Sequence, residues 1–185
     1  MNNRPLHIVH TEASTGWGGQ EIRILSEATG LRDRGHNVEL LCPGDAPIYA
    51  AARDMKLTAT ALDIGKKHIP GLLTMRNWLK CHPEVDILNT HSSTDSWLSA
   101  IACKTLGRPP VIVRTRHIST PIPRNKPTRW LYTKASRHIV TTGERLRSTL
   151  INYNHFPAEN ITSIPTGVDP QLYRPGDKTA AREKL

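Results

Sequence analysis

Thr15-Gly16-Trp17-Gly18-Gly19-Gln20-Glu21 is a glycine-rich loop between an apolar strand, Leu6 to His10, and a long helix, Gln20 to Arg34. Glycine lets backbone N–H groups approach a ligand closely, and a helix behind such a loop adds the positive end of its dipole. Strand, loop and helix therefore read as the first unit of a β/α fold and as a candidate cradle for an anion. Ile24, Leu25, Ala28 and Leu31 recur at helical spacing, and Gly35 stands where that helix ends.

Outward from this unit the alternation repeats. Asn37 to Cys42 is a second strand, closed by Pro43-Gly44-Asp45, and Ala46 to Met55 a second helix; Thr58 to Leu62 is a short third strand. After the basic Gly65-Lys66-Lys67-His68, Ile69 to Cys81 reads as a helix and Val85 to His91 as a buried strand. Asp95 to Leu106 is a helix apolar nearly all round, hence covered on several sides. Gly107-Arg108-Pro109-Pro110 stops it, and Val111-Ile112-Val113 opens strand five. Ile118 to Pro127, with Pro121, Pro123 and Pro127 beside Arg124 and Lys126, reads as a basic loop; Trp130 to Ala135 reads as a short helix. His138 to Thr142 is a sixth strand, Gly143 to Asn152 a helix and Ile161 to Ile164 a seventh strand.

Six or seven strands joined by crossover helices predict an α/β fold with a doubly wound, mostly parallel, Rossmann-like sheet, expected to be covered on both faces. In such sheets ligands gather at the carboxyl ends of the strands. The polar residues of this chain concentrate there: His10-Thr11-Glu12 after strand one, Thr90-His91 after strand four, Arg114-Thr115-Arg116-His117 after strand five, Thr142-Gly143-Glu144 after strand six. Glu12, Glu21 and Glu144 are the carboxylates near these ends, and nothing in their spacing selects one as a nucleophile.

The 185 residues suit one domain that folds without staples. Cys42, Cys81 and Cys103 form no CxxC pair and read as buried reduced thiols of a cytosolic protein. The start lacks a signal-peptide pattern, and no apolar window is long enough to span a bilayer, so the expectation is a cytoplasmic protein. Twenty-five Lys and Arg against 16 Asp and Glu give +9, a charge that draws anionic lipid or phosphorylated substrates. Nucleic acid is the weakest partner class, because only 5% of residues are aromatic and no binding signature interleaves them with basic residues.

Gly-Gly-Gln-Glu at 18–21, Asp86-Ile87-Leu88-Asn89-Thr90-His91-Ser92, Arg114-Thr115-Arg116-His117 and Ile164-Pro165-Thr166-Gly167-Val168-Asp169, in this order, resemble the amino-terminal domain of family-4 glycosyltransferases. The resemblance implies a retaining enzyme of the GT-B fold, with residues 1–164 as its acceptor-binding domain and 165–185 as a hinge and the start of a second domain. It further implies that Gly18, Gly19, Gln20 and Glu21 face the donor's diphosphate, and that His91 contacts the donor sugar beside the reaction centre. Arg114, Arg116, His117 and Glu144 would then meet acceptor or phosphate groups. The donor implied is a nucleoside diphosphate sugar, with no separate cofactor and no metal expected. The resemblance and the positive charge together lead to the expectation of a cell-envelope glycan or lipid-linked saccharide as acceptor, as in lipopolysaccharide or polysaccharide synthesis, with peripheral contact to the anionic inner membrane face.

On this reading the His91 imidazole faces the cleft, Arg114, Arg116, Arg124 and Lys126 form one basic patch, and the chain folds alone without transferring sugar. The sequence departs from the family at Thr166, where asparagine is usual, and carries no second domain with paired glutamates before Leu185. A dinucleotide-binding dehydrogenase domain fits poorly, since Glu21 occupies the third glycine position of its fingerprint. A sugar-nucleotide epimerase of the same architecture and a catalytically inactive anion-binding fragment remain as alternatives.

Overall fold

A computed structural model describes residues 4–168, 170 and 176–182. Seven parallel strands form one sheet in the order β3-β2-β1-β4-β5-β6-β7. They are β1 His7–Thr11, β2 Asn37–Cys42, β3 Thr58–Ala61, β4 Ile87–Thr90, β5 Val111–Arg116, β6 His138–Thr141 and β7 Ile161–Ser163. The helices are α1 Gly19–Arg32, α2 Pro47–Asp54, α3 Ile69–Cys81, α4 Ser93–Lys104, α5 Lys126–Trp130, α6 Glu144–Asn152 and α7 Lys178–Arg182. The strand order reverses between β1 and β4, the kind of point beyond which such sheets bind ligands.

Register assigns the two faces. Val9, Leu41, Leu88, Ile112, Ile139 and Ile161 point to one side, where α3, α4 and α6 supply Met75, Leu79, Leu98, Ala102 and Leu150. Val38, Leu40 and Cys42 point to the other and pack on Ile24, Leu25 and Ala28 of α1 and Ile48 and Ala52 of α2. Ile24, wholly buried, alone contributes about 1.5–3 kcal/mol by leaving water. Gly35, at φ +87°, supplies the left-handed residue that turns the chain from α1 into β2.

Several details differ from the sequence reading. The α1/α2 face is not covered throughout by the described helices: Val113, His138 and Val140 are half-buried, and Val111 and Thr162 are exposed. The basic loop ends at Asn125, whose side chain accepts the Thr128 N–H at 2.8 Å and caps α5. Pro127 lies in the first turn of α5, where its missing N–H costs nothing, so it starts a helix rather than extending a loop. Leu131–Ala135 then continues as a wide π-type turn in place of the helix expected at 130–135. Cys42 and Cys103 are buried, which pushes their thiols up to about 12, but Cys81 is exposed. The hinge expected at 165–175 lies partly outside the described residues.

Candidate active site at the carboxyl ends of β1, β4 and β5

The glycine loop is fixed at both ends by one carboxyl group. Glu12, fully buried just beyond β1, accepts the Ser14 N–H at 2.7 Å through Oε1 and the Gln20 side-chain amide through Oε2. Burial, reinforced by nearby Asp95, pushes its pKa up to about 8. Gln20 thus ties the loop to β1. Gly18, with extended backbone, precedes α1, and Gly19 begins it. A Cβ on Gly19 would meet nothing within 4 Å, and one on Gly18 only Glu21 Oε2 at 3.7 Å. The chain's own packing therefore does not require glycine here, and a first helical turn leaves N–H groups without intrahelical partners. Glu21 is buried beside this turn.

Three histidines from three adjacent strands meet end to end. His10 Nδ1 lies 2.9 Å from His91 Nε2, and His91 Nδ1 lies 2.8 Å from His117 Nε2. The ring centroids are 5.2 Å and 5.1 Å apart, so each bonded nitrogen must sit on the line between centroids; the rings touch edge to edge, not face to face. His10 and His91 are buried and His117 is half-buried. Burial pushes His10 down to about 4 and His117 down to about 4, the latter helped by the Arg23 and Arg114 charges. Burial likewise drives His91 well below its ordinary range, and all three rings are neutral at pH 7. Both nitrogens of His91 are engaged within the row, so its imidazole does not face the cleft as expected.

On the opposite face of the sheet, Asp95 of α4 organises the same strand ends. It accepts Thr11 Oγ1–H at 2.6 Å, Ser92 Oγ–H at 2.5 Å and the His91 N–H at 2.9 Å. Its burial raises its pKa despite these donors. Arg114, almost fully buried, donates to the Ser92 carbonyl at 3.0 Å and lies over the Tyr132 ring at 4.9 Å. Arg116 donates to the Tyr132 hydroxyl and to the Thr120 carbonyl, pinning the start of the basic loop. Arg23 of α1, also buried, donates to Thr166 Oγ1 at 2.9 Å. The Nε of each of these three arginines is buried without a hydrogen-bond partner among the described residues.

The four-residue basic patch is therefore not formed. Arg114 and Arg116 are interior cations, whereas Arg124, stacked over Tyr153 at 5.2 Å, and Lys126 are exposed. Glu144 is exposed at the start of α6 and pairs with Arg147 at 3.0 Å. It stands apart from the histidine row in the hydrogen-bond network.

The profile of Glycosyltransferase Family 4 matches residues 17–172. This chain belongs to glycosyltransferase family 4. Among curated proteins none matches the sequence. Of solved structures, Anabaena HepE in complex with UDP-glucose is similar at 16% identity and TM-score 0.75, over 97% of this chain and 49% of that one. A glycosyltransferase from Rickettsia africae is similar at 18% identity and TM-score 0.74, over 97% and 49%. A proposed UDP-N-acetylglucosamine 2-epimerase of Listeria monocytogenes is similar at 12% identity and TM-score 0.62, over 85% and 44%. The chain thus spans about half the length of these structures, and at such identities the likeness shows the fold alone.

In this family-4 chain, a cleft of about 1060 Å³ adjoins the glycine loop between α1 and the segment after β7, lined among others by Trp17, Gly19, Ile22, Arg23, Thr166 and Val168. Its volume is that of a large small-molecule site. Thr166, a departure from the family pattern, serves here as the acceptor for Arg23. Sequence reasoning did not select His10, Glu12 as a loop anchor, Arg23 or Asp95. The available signal was polarity inside apolar runs, since a strand-end histidine or a helix-face arginine buried on both sides needs a partner. Among the described residues, no three His, Cys, Asp or Glu converge as a metal site, and no helix is long and apolar enough to cross a membrane.

Proposed function

We propose that this chain is the acceptor-side domain, residues 1–164, of an enzyme that transfers a sugar with retention from a nucleoside diphosphate sugar. Residues 165–185 lead on this reading into a second domain that completes the donor site. The acceptor is a cell-envelope glycan or lipid-linked saccharide, reached by a cytoplasmic enzyme that touches the anionic inner membrane face through Arg124 and Lys126. The observation that carries the reading is the open glycine-led start of α1 beside neutral imidazoles and the buried cations Arg23 and Arg114. UDP-glucose bound to the similarly folded HepE supports it.

The chemistry suits these groups. Departure of a nucleoside diphosphate develops negative charge on phosphate oxygens, and preorganised N–H groups in a site shielded from water stabilise that charge. Removing one such donor typically costs about 3 kcal/mol of barrier. The dipole of α1 contributes about 1 kcal/mol, a small part of the roughly 8 kcal/mol that micromolar affinity requires. Calorimetric titration with nucleoside diphosphate sugars tests the division of labour. This chain alone should bind no tighter than about millimolar and a version carrying a second domain at micromolar levels; micromolar binding by the chain alone overturns the two-domain donor site.

A further inference from the structure

Three imidazoles in a row, bonded nitrogen to nitrogen, have a restricted set of proton arrangements. A neutral imidazole carries one N–H and one lone pair, so the direction of one hydrogen bond fixes the direction of the next. Only two all-neutral arrangements keep both bonds. In the first, His10 Nδ1–H donates to His91 Nε2, His91 Nδ1–H donates to His117 Nε2, and His117 carries its own proton on Nδ1. In the second every bond is reversed, which places an N–H on His10 Nε2 and leaves a lone pair on His117 Nδ1.

The surroundings choose between them. His10 Nε2 is buried and has no partner among the described residues. A buried N–H without an acceptor is a rarer and costlier defect than a buried lone pair without a donor, so the first arrangement is favoured. At the other end His117 is half-buried and, among the described residues, its ring meets no other ring than His91, which leaves its Nδ1 directed away from the row. Arg23 and Arg114 flank His91 and His117 and oppose a positive charge on either. Under the first arrangement the one free lone pair of the row is the sealed His10 Nε2. A proton arriving at the His117 end therefore has no place to land unless the whole row reverses.

We propose that His10, His91 and His117 are all protonated at Nδ1, that the row presents the His117 Nδ1–H at its half-buried end as a fixed donor for a ligand oxygen, and that His10 and His91 are positioning residues behind it. His117, not His91, is then the ring that meets a phosphate or hydroxyl oxygen. The identity of that oxygen rests on the glycosyltransferase reading, whereas the proton order does not, so the two fail separately. Nδ1–H is the less common form of histidine in water, which gives the row a distinctive signature.

Nitrogen-15 NMR of the full chain, labelled at histidine and assigned by single His→Gln variants, reads the tautomer of each ring. All three rings should be neutral Nδ1–H at pH 7. His10→Asp, whose ionised carboxylate can only accept, should reverse His91 to Nε2–H, while His10→Asn, whose amide nitrogen replaces the Nδ1–H, should hold it as Nδ1–H. A proton on Nε2 of His91 or His117 in the wild type overturns the proposal, and so does a His91 signal unchanged by His10→Asp. The wild-type spectrum decides the proton order even if the aspartate variant does not fold.

Discussion

His91→Ala removes the middle of the histidine row, and its cost follows from two bonds and a buried ring. The imidazole is 3% exposed and hydrogen-bonded through both nitrogens. Two net hydrogen bonds are worth about 2 kcal/mol, and the lost contacts and cavity add about 1–2 kcal/mol. A total of about 3–4 kcal/mol corresponds to a drop of about 10 °C in Tm for a domain of this size. His117→Ala, at the half-buried end, loses one bond and should lower Tm by only a few degrees, at about 1 kcal/mol. Scanning calorimetry of both variants at pH 7 makes the comparison. A His91→Ala shift below about 2 °C, or one no larger than that of His117→Ala, would refute a buried, doubly bonded His91.

Stability should also vary with pH in two opposed ways. His10 and His117 titrate near 4 in the folded chain against 6.5 for an ordinary histidine, so stability rises from about pH 4 to 6.5 as the unfolded chain loses its protons. Glu12 titrates near 8 when folded against 4.5 ordinarily, so the folded state holds the extra proton and stability falls up to about pH 8. Above pH 6.5 the histidine contribution is complete and the buried carboxyls remain, Glu12 at about 2 kcal/mol between 6.5 and 8 beside the raised Asp95, so Glu12→Gln should lessen that decline; an unaltered pH profile in this variant refutes the assignment. Neutralising Arg124 and Lys126 together should weaken binding to anionic vesicles about 30-fold, at about 1 kcal/mol per residue, and unchanged binding would leave the charge without a membrane role. Thr166→Val removes the acceptor of the Arg23 guanidinium and should speed amide exchange at Ile164 more than in β1; equal exchange in both segments refutes a local tie.

The fold was legible because period and punctuation agreed. Gly35, Pro43-Gly44 and Gly107 to Pro110 mark true ends of elements, and β2 and α3 run where the pattern places them. Pro127 misled because proline reads as a breaker in a loop and as a starter in a first helical turn, and only the Asn125 cap distinguishes the two. The site was legible as a place but not as a geometry. His91 and His117 stood out at strand ends, yet His10 bonds to a residue 81 positions away, and such pairing follows from sheet order that local spacing does not encode. Arg114 and Arg116 read as members of a basic patch with Arg124 and Lys126 because composition does not show that Tyr132 and the Ser92 and Thr120 carbonyls wait inside to receive them.

Whether the protein transfers sugar is decided most directly by product analysis. The complete protein is incubated with a panel of nucleoside diphosphate sugars, with and without a lipid-linked or envelope-type saccharide acceptor, and nucleoside diphosphate and sugar products are followed by NMR. Acceptor-dependent release of nucleoside diphosphate, with the transferred sugar keeping its anomeric configuration, is the predicted result. Free sugar nucleotide epimerised without acceptor, or a transferred sugar of inverted configuration, would contradict it.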